Sequence, residues 1–418
     1  MKNRNLNLVL LFLLISLNIV AQSPFGVNLA GAEFGSNMPG THNIDYTYPT
    51  ASELDYYKSK NLNLIRLPFR WERIQPILNG SLDSNELMRI KNFLQLANGK
   101  NMNVIIDLHN YCRYKINGVY KIIGSNNLSV ANIKDLWTKL SLELKDQPNI
   151  WGYGIMNEPH DLLANTSWFD IAQSIINGIR TNDQNTTIIV GGDSWSSAER
   201  WLTYSDNLKN LVDSSNNIIY EAHVYFDNDA SGSYNDNYDN EGAYPDIGID
   251  RVTPFVNWLN SNNLKGFIGE YGVPANDNRW LVVLDNFLNH LKQNCINGTY
   301  WAGGPWWGNY ILSVEPNNNG DKPQMSILKN HITTTNCSSL GINEIINSSK
   351  INLYPNPFID SMHIKGINDG TILYIYDING RLITKRILEN SKIKNLNKLK
   401  SGIYIIKSNG QYIAKIIK

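Results

Sequence analysis

The stretch Met102-Asn-Val-Ile-Ile-Asp-Leu108 is a short apolar run that ends at the polar residues His109-Asn110-Tyr111. Amphipathic segments precede and follow it, at Asn85–Asn98 and Asn132–Leu144. A run of this length suits a buried strand, and the flanking segments have the apolar spacing that is typical of helices. This stretch therefore predicts a strand that lies between two helices.

The same unit recurs through the first 300 residues, with strand starts about 30 to 50 residues apart. Regular alternation of strands and helices predicts a parallel sheet, and eight units predict an α/β fold, the (β/α)8 TIM barrel. A doubly wound open sheet is the alternative, but no GxGxxG or phosphate-loop pattern follows the first strand. The predicted strands are Phe25–Leu29, Leu62–Pro68, Met102–Leu108, Ile150–Met156, Thr187–Gly191, Ile218–Val224, Gly266–Glu270 and Gly298–Trp301.

The composition changes after Ile332. Residues 333–349 are polar and are predicted to form a linker between residues 22–332 and residues 350–418. The last segment lacks tryptophan and alternates β-prone runs with Asn-Gly pairs, which are hairpin signals. It predicts a small all-β, sandwich-like domain with strands at Ile351–Tyr354, Thr371–Tyr376, Leu382–Ile387, Gly402–Lys407 and Tyr412–Ile417.

The N-terminus carries Lys2 and Arg4 before the apolar run Leu8–Leu17, and the small residue Ala21 follows. This pattern predicts a signal peptide at residues 1–21 and a secreted protein, with an uncleaved anchor as the alternative. No later stretch approaches the ~20 apolar residues of a spanning helix, so no stable membrane span is expected.

The whole chain has 37 basic and 37 acidic residues. This balance argues against nucleic acid or an anionic membrane surface as the main partner and favours a neutral one. The chain also contains 11 Trp and 22 Tyr, and flat aromatic rings stack well on the C–H faces of sugars.

The three cysteines, Cys112, Cys295 and Cys337, form no CxxC pair or Cys/His cluster, so no metal or other cofactor is expected. Cys295 and Cys337 could form a disulfide bond, although three cysteines allow three pairings.

Two glutamates follow apolar strands at the barrel end where function resides. Asn157-Glu158-Pro159 ends the fourth strand, and Gly269-Glu270-Tyr271 ends the seventh. Arg66 lies inside the second strand, where a guanidinium needs a partner, and an ionised Glu270 is the natural one. Each glutamate alone could be a helix cap or a salt-bridge partner.

Glycoside cleavage needs one carboxyl group that is protonated and one that is ionised, with pKa values separated by their surroundings. Arg66 and a tyrosine hydroxyl would keep Glu270 charged as the nucleophile. Desolvation near His223 would keep Glu158 neutral as the acid/base. Along the sixth strand, Glu221, His223 and Tyr225 share one face.

The segment from about Phe25 to Ile332 resembles glycoside hydrolase family 5, a retaining family whose best-known members are endo-β-1,4-glucanases. In chain order, the motifs match all eight positions of the family. They are Ile65-Arg-Leu-Pro-Phe-Arg70, Asp107-Leu-His-Asn-Tyr111, Gly154-Ile-Met-Asn-Glu-Pro-His160, Ala222-His-Val-Tyr225, Ile268-Gly-Glu-Tyr-Gly272 and Tyr300-Trp-Ala302.

The resemblance implies that Glu158 is the acid/base and Glu270 the nucleophile of a double displacement. It also implies that Asn157 holds the sugar 2-hydroxyl and that Arg66 and Tyr225 hold the nucleophile. His109 and His223 would line the cleavage subsite. The further substrate-binding residues that it suggests are Trp301, Asn110, Tyr111, Trp195, Trp306 and Trp307.

The His109 to Arg113 motif resembles the cellulase branch, which implies an endo-acting enzyme on cellulose or a related β-glucan. The same machinery could act on mannan, xyloglucan or xylan, since loops choose the substrate. An inactive barrel that only binds glycans is a third alternative, although such relatives generally lose a glutamate or the arginine.

The tail resembles the C-terminal sorting domain of the type IX secretion pathway. The resemblance rests on Leu353-Tyr-Pro-Asn-Pro-Phe358, Tyr374–Arg381 and Leu399–Ile405. It implies export with the secretion machinery as a partner. A carbohydrate-binding sandwich is the alternative, but such a module usually presents exposed tryptophan. We expect a monomer.

Overall fold

The chain divides into two compact units, Met1–Ser338 and Ser339–Lys418. The predicted signal peptide at residues 1–21 and the predicted linker at residues 333–349 lie outside the described residues, and their boundaries stay predictions. The structure, a computed structural model, describes residues 25–331 except 319, and residues 352–418 except 366–368, 378–380 and 409–410.

Eight parallel strands form a closed barrel in the first unit, as predicted. Each strand pairs with its neighbours in chain order, and the first pairs with the last, which closes the ring. The strands are β1 (Gly26–Leu29), β2 (Leu64–Phe69), β3 (Asn103–Leu108), β4 (Ile150–Gly154), β5 (Ile188–Gly191), β6 (Ile218–Val224), β7 (Gly266–Tyr271) and β8 (Asn297–Gly303).

Helices alternate with these strands, and several begin at a side-chain cap. Asp83, Ser167 and Asp277 each accept a hydrogen bond from a backbone N–H of the first turn, which satisfies a donor that the helix leaves free. The helices are α1 (Ala51–Ser59), α2 (Trp71–Ile74), α3 (Ser84–Gly99), α4 (Val130–Leu144), α5 (Trp168–Ile179), α6 (Trp201–Tyr204), α7 (Ile247–Asn262), α8 (Asn278–Gln293) and α9 (Pro323–His331).

The elements of this unit that were not predicted from the sequence include one long helix and a hairpin, besides short helices such as α2 and α6. Helix α7 contains Pro254, which disguises its helical pattern. A hairpin of Arg113–Ile116 and Val119–Ile122 follows β3. Asn117 and Gly118 form its turn, both with positive φ (49° and 79°), as a tight hairpin turn requires.

Apolar side chains fill the interior of the barrel near the amino-terminal ends of the strands. Leu64, Ile105, Ile189 and Phe267 form a fully buried cluster. They come from β2, β3, β5 and β7, so they can meet only inside the ring. Arg66 follows Leu64 by two residues and therefore points to the same interior, one layer higher. The polar site thus rests on an apolar floor.

The second unit is all-β, as predicted. A three-stranded and a four-stranded antiparallel sheet share one apolar core that includes Met362, Ile375 and Ile406. The second and fifth of its strands were not predicted. The strands are β9 (Asn352–Tyr354), β10 (Met362–Lys365), β11 (Ile372–Asp377), β12 (Leu382–Ile387), β13 (Lys392–Ile393), β14 (Ile403–Ser408) and β15 (Gln411–Ile417).

The cysteines differ in state. Cys295 is disulfide-bonded, whereas Cys112 is a buried free thiol. Cys337, the partner proposed for Cys295, lies outside the described residues. In the part of the chain that the structure describes, no helix combines the length and the apolar character that crossing a membrane requires.

Candidate active site

Arg66 of β2 lies at the centre of the polar end of the barrel, and its guanidinium is fully buried. Its Nη1 donates to Oε1 of Glu270 at 3.0 Å, so the predicted pairing is present. Its Nη2 donates to Oδ1 of Asn157 at 2.7 Å. One cation therefore links the ends of β4 and β7, where the two predicted catalytic glutamates arise.

Glu270 receives a second hydrogen bond from the hydroxyl of Tyr225, at 2.8 Å from Oε2. Burial raises the pKa of the Glu270 carboxyl, and the charge of Glu158 raises it further. His223 and Arg66 oppose this rise. The sequence predicted the Arg66 and Tyr225 contacts but not that burial would outweigh them.

Glu158 follows β4 in a left-handed backbone conformation, with a φ of 44°. Its Oε1 lies 2.7 Å from Nδ1 of His223. One carboxylate oxygen of Glu158, one of Glu270 and a ring nitrogen of His223 all lie within 4.8 Å of one another. The carboxylates of the two glutamates are therefore close enough to contact the same bound group from two sides.

His223 and His109 have opposite electrostatic surroundings. Burial alone would lower the pKa of His223, but the carboxylates of Glu270, Glu158 and Glu221 outweigh it and raise the pKa to about 10. Burial lowers the pKa of His109 well below its usual value. The surroundings of His223 therefore favour its protonated form, whereas those of His109 favour the neutral form.

Three further polar residues contact Arg66, and these contacts were not predicted from the sequence. Asn28 of β1 accepts from Arg66 at 2.9 Å, and Asp107 and Glu221 lie 3.1 and 3.0 Å from its Nη2. Each is a buried polar residue on an otherwise apolar strand, and that signal was available in the sequence. The shared face of Glu221 and His223 was recognised, but the contact with Arg66 was not.

Trp301 lies on β8 and stacks on the ring of His109, with 5.5 Å between the centroids and 10° between the planes. The peptide bond from Trp301 to Ala302 is cis. Trp307 packs edge-on against Trp301 at 5.8 Å, and Trp306 is exposed. The hydroxyl of Tyr111 lies 3.0 Å from Nε2 of His109. The rings of Tyr111, His109, Trp301 and Trp307 form one aromatic wall of the site.

Trp195 lies elsewhere, in the loop after β5, and is 39% exposed. It stacks on His160 at 4.4 Å. It lines a cavity of about 390 Å³ together with Glu158, His223 and Tyr225. Among the predicted aromatic residues, Trp195 therefore lies near Glu158 in the loop after β5, whereas Trp301 and Trp307 lie together at and after β8.

Asn110 uses its amide within the protein. Its oxygen accepts from the backbone N–H of Trp71, and its nitrogen donates to Glu72 and to the carbonyl of Arg113. The structure thus gives Asn110 a role in holding the loop after β3, away from the glutamates.

Glu158, His223 and Glu270 are also the described residues whose donor atoms could converge on a metal ion. The 2.7 Å between Nδ1 of His223 and Oε1 of Glu158 is a hydrogen-bond distance. It is shorter than two metal–ligand bonds of about 2 Å at a tetrahedral angle would allow. The geometry favours proton sharing over metal binding.

Comparisons with known proteins agree with this geometry. The sequence pattern of the cellulase family (glycosyl hydrolase family 5) matches residues 26–310, and that of a secretion system C-terminal sorting domain matches residues 352–418. Endo-beta-1,4-glucanase B of Aspergillus niger is 35% identical over 296 residues, which are 70% of this chain and 85% of the relative. Endoglucanase 3 of Humicola insolens is 32% identical over 70% of this chain and 73% of its own length.

Solved structures give the same result. Endoglucanase Cel5A of Pseudomonas stutzeri, in complex with cellobiose, is 39% identical with a TM-score of 0.70. The match covers 74% of this chain and 92% of that protein. The chain is therefore a secreted member of glycoside hydrolase family 5 that carries a C-terminal sorting domain of the type IX secretion pathway.

Proposed function

We propose that the protein is a retaining, endo-acting β-1,4-glucanase that works by double displacement with Glu158 and Glu270. The observation that carries the proposal is the approach of their carboxylate oxygens to within 4.8 Å. Retaining glycosidases place two carboxyl groups about 5 Å apart, whereas inverting enzymes leave room for a water molecule.

In the first step, Glu158 donates a proton to the glycosidic oxygen while Glu270 attacks the anomeric carbon. Arg66 and Tyr225 direct their donors at the two oxygens of Glu270, at 3.0 and 2.8 Å. These bonds hold the carboxylate in position, and the positive charges of Arg66 and His223 favour its ionised form.

In the second step, Glu270 is an ester and has lost its charge. Glu158 is then ionised and takes a proton from the water that attacks the anomeric carbon. The oxygen of Asn157 accepts from Arg66, and its Nδ2 lies 3.4 Å from Nε2 of His109. Because Nδ2 carries two hydrogens, one of them can donate to the sugar 2-hydroxyl. Such a contact strengthens in the transition state of glycoside cleavage.

The aromatic groups support a glucan substrate. Trp301 offers a flat face for the sugar at the cleavage position, and Trp195 offers one beside Glu158, on the leaving-group side. Flat rings suit the faces of β-linked glucose, where axial C–H bonds are presented because the hydroxyl groups are equatorial. The named relatives are an endo-beta-1,4-glucanase and an endoglucanase, which favours β-glucan over mannan, xyloglucan or xylan.

The inactive glycan-binding alternative is the second candidate. It is disfavoured because both glutamates, Arg66 and their hydrogen bonds are present. We propose that the protein acts as a monomer and that the sorting domain engages the secretion machinery.

The test combines a substrate panel with the stereochemistry of the product. Purified protein is incubated with soluble β-1,4-glucan, mixed-linkage glucan, mannan, xyloglucan and xylan, and the first anomer released is followed by proton NMR. We expect oligosaccharides from the β-glucans, released first as the β-anomer. Release of the α-anomer would overturn the double displacement, and no hydrolysis of any glycan would favour the binding alternative.

A further inference from the structure

Glu221 of β6 contacts the residues that bind the two catalytic glutamates, and it is 3% exposed. Its Oε1 is 3.0 Å from Nη2 of Arg66 and 3.1 Å from Nε2 of His223. These contacts place one buried carboxylate between the cation that holds the nucleophile and the imidazole that faces the acid/base.

The neighbouring strand leaves room for this carboxylate. A Cβ atom at Gly269 would lie 1.8 Å from Oε1 of Glu221, far inside any real contact distance. The residue before the nucleophile must therefore be glycine as long as Glu221 keeps this position. The packing of β7 and the placement of Glu221 depend on each other.

Proton positions follow from the hydrogen bonds. Burial would raise the pKa of Glu221, but Arg66 and His223 reverse the effect and lower it. An ionised carboxylate can only accept, so Nε2 of His223 must carry a proton. Nδ1 of the same ring lies 2.7 Å from Oε1 of Glu158. That short bond then contains the second proton, shared between ring and carboxyl.

His109 provides the contrast within the same site. Its Nδ1 bonds to Asp107 at 2.8 Å, and its Nε2 lies next to the hydroxyl of Tyr111. It has a buried acid on one side, as His223 does, but no hydrogen bond to either catalytic glutamate. A buried pair of an acid and a histidine is therefore present twice, as Asp107–His109 and as Glu221–His223, and only the pair at β6 reaches the acid/base.

We propose, on the basis of the double-displacement function above, that Glu221 is a positioning residue that fixes one proton on Nε2 of His223. The second proton is thereby kept in the bond between His223 and Glu158 until the leaving group takes it. The charged and titratable groups that face His223 and its partners are Arg66 of β2, Asp107 and His109 of β3, Glu158 after β4, Tyr225 after β6 and Glu270 of β7.

The first step conserves both protons and charge. Before it, His223 and Glu158 share one proton and are neutral as a pair, while Glu270 is an anion. The shared proton moves to the glycosidic oxygen as the C–O bond breaks and the bond to Glu270 forms. Afterwards Glu158 is the anion and Glu270 a neutral ester. The attacking water returns a proton to the pair in the second step.

The experiment compares the pH profiles of kcat/KM for wild type and Glu221→Gln. Cellotetraose requires protonation of its leaving group, whereas dinitrophenyl cellobioside does not. Without the charge of Glu221 the shared proton is held less tightly. We expect the basic limb for cellotetraose to move down by about one pH unit and kcat/KM at pH 7 to fall about tenfold. The dinitrophenyl substrate should change by less than about threefold.

Two further variants separate positioning from folding. Glu221→Asp keeps the charge and should keep the basic limb near the wild-type position, even if its activity is lower. Asp107→Asn removes the matched acid that faces His109 and should lower activity without moving the basic limb selectively for cellotetraose. Thermal unfolding of each variant shows whether it is folded at the assay temperature.

The ¹⁵N chemical shifts of the His223 ring, in protein labelled at histidine, give a readout that does not need activity. We expect both ring nitrogens to be protonated at pH 7 in wild type and one to lose its proton in Glu221→Gln. An unshifted basic limb, or equal losses on both substrates, would overturn the role of Glu221. A wild type that fails to cleave cellotetraose would instead overturn the proposed function.

Discussion

The two units of this chain differ in charge and in aromatic content. Residues 25–331 carry 23 Lys and Arg against 32 Asp and Glu, whereas residues 352–418 carry 11 against 4. All 11 Trp lie before residue 308. The neutral total thus combines an acidic catalytic unit, a basic sorting unit and the two cations Lys2 and Arg4 near the N-terminus. A conclusion about partners drawn from the total, such as the exclusion of anionic surfaces, therefore does not extend to the basic unit by itself.

The difference also concerns where the charges lie. The catalytic unit buries Arg66, Asp107, Glu221 and Glu270 together, and their pairing decides the chemistry. The sorting unit has a small core and exposes apolar residues such as Ile359 and Ile387. We therefore assign hydrolysis wholly to the first unit. Substitutions in the glutamate network and removal of the second unit test this assignment.

Glu270→Ala should reduce hydrolysis of β-glucan by at least about 10³-fold, because the change removes the carboxylate that attacks the anomeric carbon. Glycan binding should persist. Reducing-sugar release and isothermal titration with cellotetraose measure the two properties. Glu199→Ala, at the exposed rim of the cavity, is the control and should retain binding and most activity. Turnover by Glu270→Ala near the wild-type rate would disprove the nucleophile assignment.

Glu158→Ala should lower kcat/KM on cellotetraose by about 10² to 10³-fold, since the leaving oxygen then lacks its proton donor. On dinitrophenyl cellobioside, kcat/KM should stay within about tenfold of wild type. Steady-state rates on both substrates test the acid role. Equal losses on the two would contradict it.

Burial raises the pKa of Glu270 above its ordinary 4.5, so the acid limb of kcat/KM should lie above pH 4.5. The sign follows because protonated Glu270 cannot attack. Activity is therefore lost as pH falls through this pKa, about tenfold for each further unit. Tyr225→Phe removes a donor to the carboxylate and should move the acid limb upward. A limb at or below pH 4.5 in wild type would show that the charges of Arg66 and His223 outweigh burial.

Removal of residues 339–418 should change kcat/KM on cellotetraose by less than about twofold. The catalytic unit has its own core, and every described residue of the glutamate network lies within it. The measurement compares the full chain with the shortened chain at equal concentrations of folded protein. A large loss would show that hydrolysis also depends on the basic unit, and it would contradict the assignment of hydrolysis to the acidic unit alone.

Much of the catalytic unit could be predicted from the sequence because its signals are local. All eight barrel strands were placed within a few residues, since each is a short apolar run with a polar end. The ion pair between Arg66 and Glu270 could be predicted because burial of an unpaired guanidinium is unfavourable. Helix α7 was missed because Pro254 interrupts its pattern.

The remaining features depend on contacts between distant strands. Strand parity placed Glu221 and His223 on one face, but it could not reveal that both Glu221 and Asp107 share Arg66. The pairing of β6 with β7 shifts register between Ala222 and His223, which simple alternation does not anticipate. We predicted that desolvation near His223 would keep Glu158 neutral, whereas the structure joins the two groups by a short hydrogen bond.

The buried thiol of Cys112 provides a reporter on the integrity of the barrel. The side chain is fully enclosed and its backbone N–H faces the sulfur of Met156, so an alkylating reagent cannot reach it in the folded enzyme. Residues 352–418 contain no cysteine, and Cys295 is oxidised. Without reductant, the rate at which Cys112 becomes labelled therefore measures how often the catalytic unit opens, and events in the sorting unit do not contribute.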